Sequence, residues 1–195
     1  MAAVDLLAGN PFIAGPHLNA YNEHTLAFLI CRGACRWVPP VELPLHVIAA
    51  VHAACGTGIP VEVFAFGRLP LAFSARCFTA RAHNRAKDEC GLACRDNPDG
   101  ITLHSREQAP FLALNGIQTQ SAATHNAIDH VREIERSGAC VLRLSPQSQQ
   151  FLAVIDAFRG AVRGAREAVM PDAFLPGGYC NGYLQGLPGM SAVQP

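Results

Sequence analysis

An α/β fold built on parallel strands is what this sequence predicts, and three observations predict it. Short apolar runs alternate with segments of helical spacing along most of the chain. Glycine or proline closes nearly every run. Half of the 195 residues are hydrophobic and 15% are charged, which suits a folded domain and excludes a disordered tail.

The elements follow in order. "AAVDLLAG" reads as the end of a helix after a strand that the chain does not contain. "PFIAGP" (11 to 16) is a short strand, "EHTLAFLICRG" (23 to 33) a helix stopped by Gly33, and "ACRWVP" (34 to 39) a strand ended by Pro39 and Pro40. "LPLHVIAAVHAACG" (43 to 56) has helical spacing at Leu45, Ile48, Val51 and Cys55, and "IPVEVFAFG" (59 to 67) is the next strand. "FLALNGIQTQ" (111 to 120) is extended. "ATHNAIDHVREIERSG" (123 to 138) reads as a polar-faced helix, "ACVLRLSP" (139 to 146) as a strand and "SQQFLAVIDAFRGAVRGA" (148 to 165) as a helix. The tail from Met170 is rich in Gly and Pro.

These make about five strand–helix steps, whereas a closed (β/α)8 barrel needs eight and usually runs to about 250 residues. An open sheet and the later part of a barrel both fit. The opening helix end favours a partial (β/α)8 TIM-type barrel, one domain over 1–195, with residues 69–109 as a cysteine-rich insertion.

Fifteen basic residues balance fifteen acidic ones, so nothing global points to nucleic acid or an anionic membrane. No run approaches the roughly 18 apolar residues of a spanning helix. The N-terminus lacks a basic region and carries Asp5, unlike a secretory signal. The expected location is a reducing cytoplasm, where eight cysteines are not expected to form structural disulfides.

Three of those cysteines cluster within the insertion. Cys90 and Cys94 are four apart, one helical turn, and Cys77 must fold back from an earlier segment. Converging thiolates repel, and a metal centre removes that cost. Arg76, Arg81, Arg85 and Lys87 offset their charge further. Soft sulfur selects zinc, Cu(I) or iron–sulfur clusters. The C-x12-C-x3-C spacing is neither a zinc knuckle nor a ferredoxin pattern, so on spacing alone iron–sulfur, zinc and plain buried thiols stay open.

Other residues carry a functional and an ordinary reading side by side. Glu42 at a strand end is a candidate catalytic carboxylate or simply an acid favourable before a helix. Glu62 sits mid-strand among apolar neighbours and needs a partner, either a substrate or an inward arginine. His17, with Asn19, Tyr21 and Asn22, follows the first strand and is a candidate general acid or a turn residue. Arg143 ends the last strand and is placed to clamp an anion. His125 and Asp129 read as a solvated helix pair. No HExxH, GxSxG, Walker A or strand-linked GxGxxG motif is present.

Seven ordered blocks complete the picture: "GPHLNAYN" (15 to 22), "RWVPPVELP" (36 to 44), "GRLPLAFSARCFTAR" (67 to 81), "KDECGLAC" (87 to 94), "LNGIQTQSA" (114 to 122), "RLSPQ" (143 to 147) and "CNGY" (180 to 183). Together they resemble the UbiV-type proteins of the collagenase-like peptidase family, over about residues 10 to 185. The resemblance implies a subunit that is not a protease. Such a subunit works as a heterodimer with a UbiU-type homologue in oxygen-independent ubiquinone biosynthesis. There the quinone ring of a ubiquinone precursor is hydroxylated without O2, with prephenate as the associated oxygen source. It implies a [4Fe–4S] cluster with Cys77, Cys90 and Cys94 as three ligands. The family's fourth ligand lies upstream of these blocks, so the sequence is expected to be a fragment; the alternatives are a missing barrel half supplied by another polypeptide, or another thiol in its place, with Cys180 and Cys31 or Cys35 the plausible donors. Peptide hydrolysis and RNA hydroxylation, both also found among such relatives, are the rival activities.

Overall fold

The computed structural model describes residues 2–7, 9–56, 58–164 and 170–193. In chain order the elements are α1 (Ala2–Leu6), β1 (Phe12–Ala14), α2 (Glu23–Cys31), β2 (Ala34–Trp37), α3 (Leu45–Cys55), β3 (Val61–Phe73) and α4 (Phe78–Ala82). Then come β4 (Ile101–His104), β5 (Pro110–Asn115), β6 (Gln118–Asn126), α5 (Val131–Arg136), β7 (Ala139–Leu144), α6 (Phe151–Val162) and β8 (Tyr179–Cys180). Short 3-10 turns lie between them. The strands form an open, mixed eight-stranded sheet in the order β1-β2-β3-β6-β5-β4, with β7 paired to β3 and β8 to β6. The α/β class read from the sequence therefore holds, but no closed barrel forms among the described residues.

The contacts divide the chain into two compact units. The first comprises residues 1–65, 129–144 and 181–195. In it β1, β2 and the start of β3 are parallel, as the strand–helix alternation predicts. Asn22 caps α2 by accepting the Thr25 N–H at 2.9 Å. Leu26 and Leu29 of α2, Ile48 and Val51 of α3, and Trp37, Val61 and Val63 of the strands are buried and make the core.

The second unit comprises residues 66–128 and 145–180. Here the expected parallel pattern fails, because β3, β6, β5 and β4 pair antiparallel. Residues 111–120, read as one extended run, are a hairpin. Asn115 pairs with Gln118 across the two-residue loop Gly116–Ile117, and Gly116 takes φ +62, a value glycine adopts without strain. The expected helix over 123–138 begins only at Val131. Residues 123–126 instead continue β6 between β3 and β8, burying Thr124, His125 and Asn126, so sheet pairing overrides their local preference. His125 is thus a buried strand residue rather than half of a solvated helix pair. α6 buries Val154, Phe158 and Ala161 along one face, and the Phe158 ring meets Phe66 edge-on at 6.0 Å.

Gly67 permits a close approach near this core. It lies at φ +120, and the adjoining Phe66 carbonyl accepts the Ser145 N–H at 2.8 Å. A Cβ on Gly67 would sit 2.5 Å from the Ser145 Cβ. Gly67→Ala should therefore cost roughly 2 kcal/mol or more, from overpacking added to backbone strain. Gly56→Ala, at φ +62 in open space, should cost only about 1 kcal/mol. Denaturant unfolding of both variants checks the difference, and equal losses would mean that the contact with Ser145 contributes nothing.

Candidate functional site

A buried carboxylate needs partners, and Glu62 has two. Its side chain is 7% exposed, at the second position of β3. Arg143 of β7 donates from Nε to Oε1 at 2.5 Å, and Arg36 of β2 donates from Nη1 to Oε2 at 3.0 Å. Both arginine side chains stay about two-fifths exposed, 38% for Arg36 and 42% for Arg143. The structure thus joins two residues that the sequence suggested separately, and the inward-arginine reading of Glu62 holds. Arg36, inside "ACRWVP", was not singled out; a basic residue amid an apolar strand was the available signal. Two cations around one anion leave the site with an excess positive charge that reaches solvent.

Glu42 is exposed in the turn before α3 and accepts a hydrogen bond from the Tyr21 hydroxyl. This bond, then burial and then the Glu42 charge push the Tyr21 hydroxyl up to about 12. His17 lies exposed on the 3-10 turn Pro16–Leu18, and the Tyr21–Glu42 bond ties the same loop to the turn carrying Glu42.

The cysteines sit on short elements of the second unit. Cys77 caps α4, its sulfur accepting the Ala80 N–H at 3.4 Å. Cys90 accepts the Leu92 N–H at 3.4 Å, and Cys94 lies in the 3-10 turn Ala93–Asp96, which packs against α4. Arg85 donates to the Cys90 carbonyl at 2.9 Å, and Lys87 to the Ala75 carbonyl at 3.0 Å, so the basic residues hold the loop back against its own start. The donor chemistry fits a metal cluster: three half-exposed thiols, two of them accepting backbone N–H bonds. Their positions do not yet make a centre. Among the described residues, no three His, Cys, Asp or Glu side chains are gathered closely enough to hold an ion. Residues 83–92 are irregular and, apart from Cys90, exposed, so rearranging them exposes little apolar surface. Cys180, an alternative donor, is fully buried on β8, and burial pushes its thiol up to about 11, the state of an inert structural cysteine. Cys31 and Cys35 are exposed in the first unit.

A sequence profile of peptidase family U32 matches residues 4–174. The chain belongs to peptidase family U32. The match covers most of the chain and agrees with the peptidase-family resemblance carried by the seven blocks. No solved structure matches it. No helix among the described residues of this U32 domain is long and apolar enough to cross a membrane.

The U32 fold also assembles residues that motif reading passed over. Parts of three blocks, residues 67–68, 115–120 and 145–147, meet in the second unit around Arg68, Asn115, Gln120 and Gln147. Arg68 lies within the block 67–81, and the sequence signal for it is a charge two residues past an apolar strand run.

Two outcomes follow for the first unit. Glu62→Gln should cost roughly 2 kcal/mol, less than for a fully buried pair because both arginines reach solvent. Arg143→Met in the Glu62→Gln background should cost much less than in the wild type; additive losses in that double-mutant cycle would refute the coupling. Tyr21 should ionise near 12, and Glu42→Ala should return it towards 10. A tyrosine pKa raised on folding stabilises fully below pH 10 and loses that stability as pH climbs through 12, so the difference between the two proteins should shrink over that window. Ultraviolet phenolate titration of the three tyrosines reads this directly.

Proposed function

We propose that this U32 chain is the iron–sulfur part of a UbiV-type protein, acting with a UbiU-type homologous subunit in O2-independent ring hydroxylation during ubiquinone biosynthesis. The observation that carries the reading is the set of seven ordered blocks, six of them inside the U32 match, with Cys77, Cys90 and Cys94 at the spacing that the resemblance implies for cluster ligands. The parallel β1-α2-β2-α3-β3 order supports a (β/α)8-type ancestry for the first unit.

In this reading the three thiols are ligands of a [4Fe–4S] cluster, and the fourth ligand is not assigned. Holding the cluster would require residues 83–92 to rearrange so that the three sulfurs converge, and the existing N–H bonds to Cys77 and Cys90 would reduce the charge on the sulfurs. The cluster supplies redox or Lewis-acid chemistry when bound. Arg36 and Arg143 supply excess positive charge suited to a dicarboxylate such as prephenate. Glu42, His17 and Tyr21 are the candidate proton-handling groups, already hydrogen-bonded in part.

Anaerobic co-expression with a UbiU-type subunit tests the proposal. The expected product is brown, with about four irons per chain. Cys77→Ala, Cys90→Ala and Cys94→Ala should each lose the visible absorbance and most of the iron, and should fail to restore anaerobic ubiquinone in a deficient strain. Stoichiometric zinc in a colourless protein would sink the reading. So would peptide hydrolysis that Glu42→Gln abolishes, or a hydroxylated nucleobase with unchanged ubiquinone.

A further inference from the structure

A small polar cavity of about 50 Å³ opens beside Gly67 in the second unit, and its wall is built around one cation. Arg68 sits just past the middle of β3, half-buried. Its Nη1 donates to the carbonyls of Ser121 and Ala122 at 2.9 and 2.6 Å, which fixes the guanidinium plane against β6. Among the described residues no carboxylate lies within ion-pair distance of it, and its Nε and Nη2 have no acceptor. Burial lowers the Arg68 pKa, and the negative charge of Asp99 opposes that without contact. Asp99 is itself engaged, accepting from the Ser148 N–H at 2.8 Å and from the Ser148 hydroxyl. The rest of the polar wall is the hydroxyls of Thr124, which donates to the Pro176 carbonyl at 2.8 Å, and Ser145, together with three amides. Asn115 donates to the Pro98 carbonyl at 3.2 Å, Gln120 to Gln118 at 2.7 Å, and Gln147 to the Gln149 and Phe174 carbonyls at 2.9 and 3.2 Å.

We propose that this cavity binds a small monocarboxylate, held by the free Nε–Nη2 edge of Arg68. That edge is the planar fork that matches a carboxylate with two parallel hydrogen bonds. A partly desolvated guanidinium without an anion is costly, and a ligand carboxylate removes that cost. One cation beside Asp99 suits a monoanion and disfavours a phosphate dianion. The volume limits the ligand to roughly two or three carbon atoms. The inference goes beyond the iron–sulfur reading and does not depend on it, since none of the lining residues is a proposed cluster ligand.

Calorimetric titration of the full chain with sodium glycolate, at fixed ionic strength, tests it. Glycolate should bind saturably and shift the Arg68 Nε–H resonance, and phosphate should not displace it. Arg68→Gln should abolish binding, though it also removes the bonds to β6 and so can weaken the fold. Gln120→Glu avoids that difficulty by placing a carboxylate on the wall. It should cut glycolate affinity at least about tenfold while leaving the melting temperature equal or higher. Absent binding to the folded wild type, unchanged affinity in Gln120→Glu, or equal binding of phosphate would each overturn the proposal.

Discussion

The placement of Glu62 near the start of β3 constrains the first unit more than any other residue. A carboxylate 7% exposed in an apolar strand is tolerable only if its charge is met by fixed donors. The donors come from β2 and β7, which pack beside β3 in the fold but lie 26 and 81 residues from Glu62 in sequence. Ordering three strands around one charge makes their side-chain register specific. Exchange of Arg143 for a neutral residue leaves the buried carboxylate with Arg36 alone as its charged donor.

The sequence shows this partly and for an identifiable reason. Each short parallel element was legible because its apolar run and closing glycine or proline are local signals: β1, α2, β2 and α3 sit where periodicity puts them. The antiparallel half was not. Asn115-Gly116 marks a turn in retrospect, yet residues 111–120 also read as one strand, since both descriptions contain the same apolar alternation. Residues 123–126 have no strong strand preference and become β6 only through β3 and β8, which no local window contains. Glu62 and Arg143 were each suspicious alone, but spacing cannot report that two residues 81 apart touch.

The cysteine segment shows the opposite limit. Its spacing is conspicuous in sequence, while its geometry is set by weak forces. Cys77 and Cys90 spend their sulfurs on single backbone N–H bonds, and the intervening stretch has little buried surface to fix it. Arg85 and Lys87, rather than core packing, tie this long exposed stretch back against its own start.

Charge accounts for what composition could and could not exclude. Equal numbers of acidic and basic residues remove the broad positive field that a polyanion such as RNA needs. They say nothing of small anions, because recognition of a small anion depends on imbalance over a few ångströms, where screening is weak and solvent is displaced. Such imbalance occurs twice along β3, six residues apart in sequence. Around Glu62 two guanidiniums share one carboxylate, and at Arg68 one guanidinium has no contacting carboxylate among the described residues. A globally neutral chain can therefore carry two local sites of unmet positive charge. In each, an arriving carboxylate is stabilised by restoring local balance rather than by long-range attraction, so affinity there should depend on the few groups in contact and only weakly on the total charge of the protein.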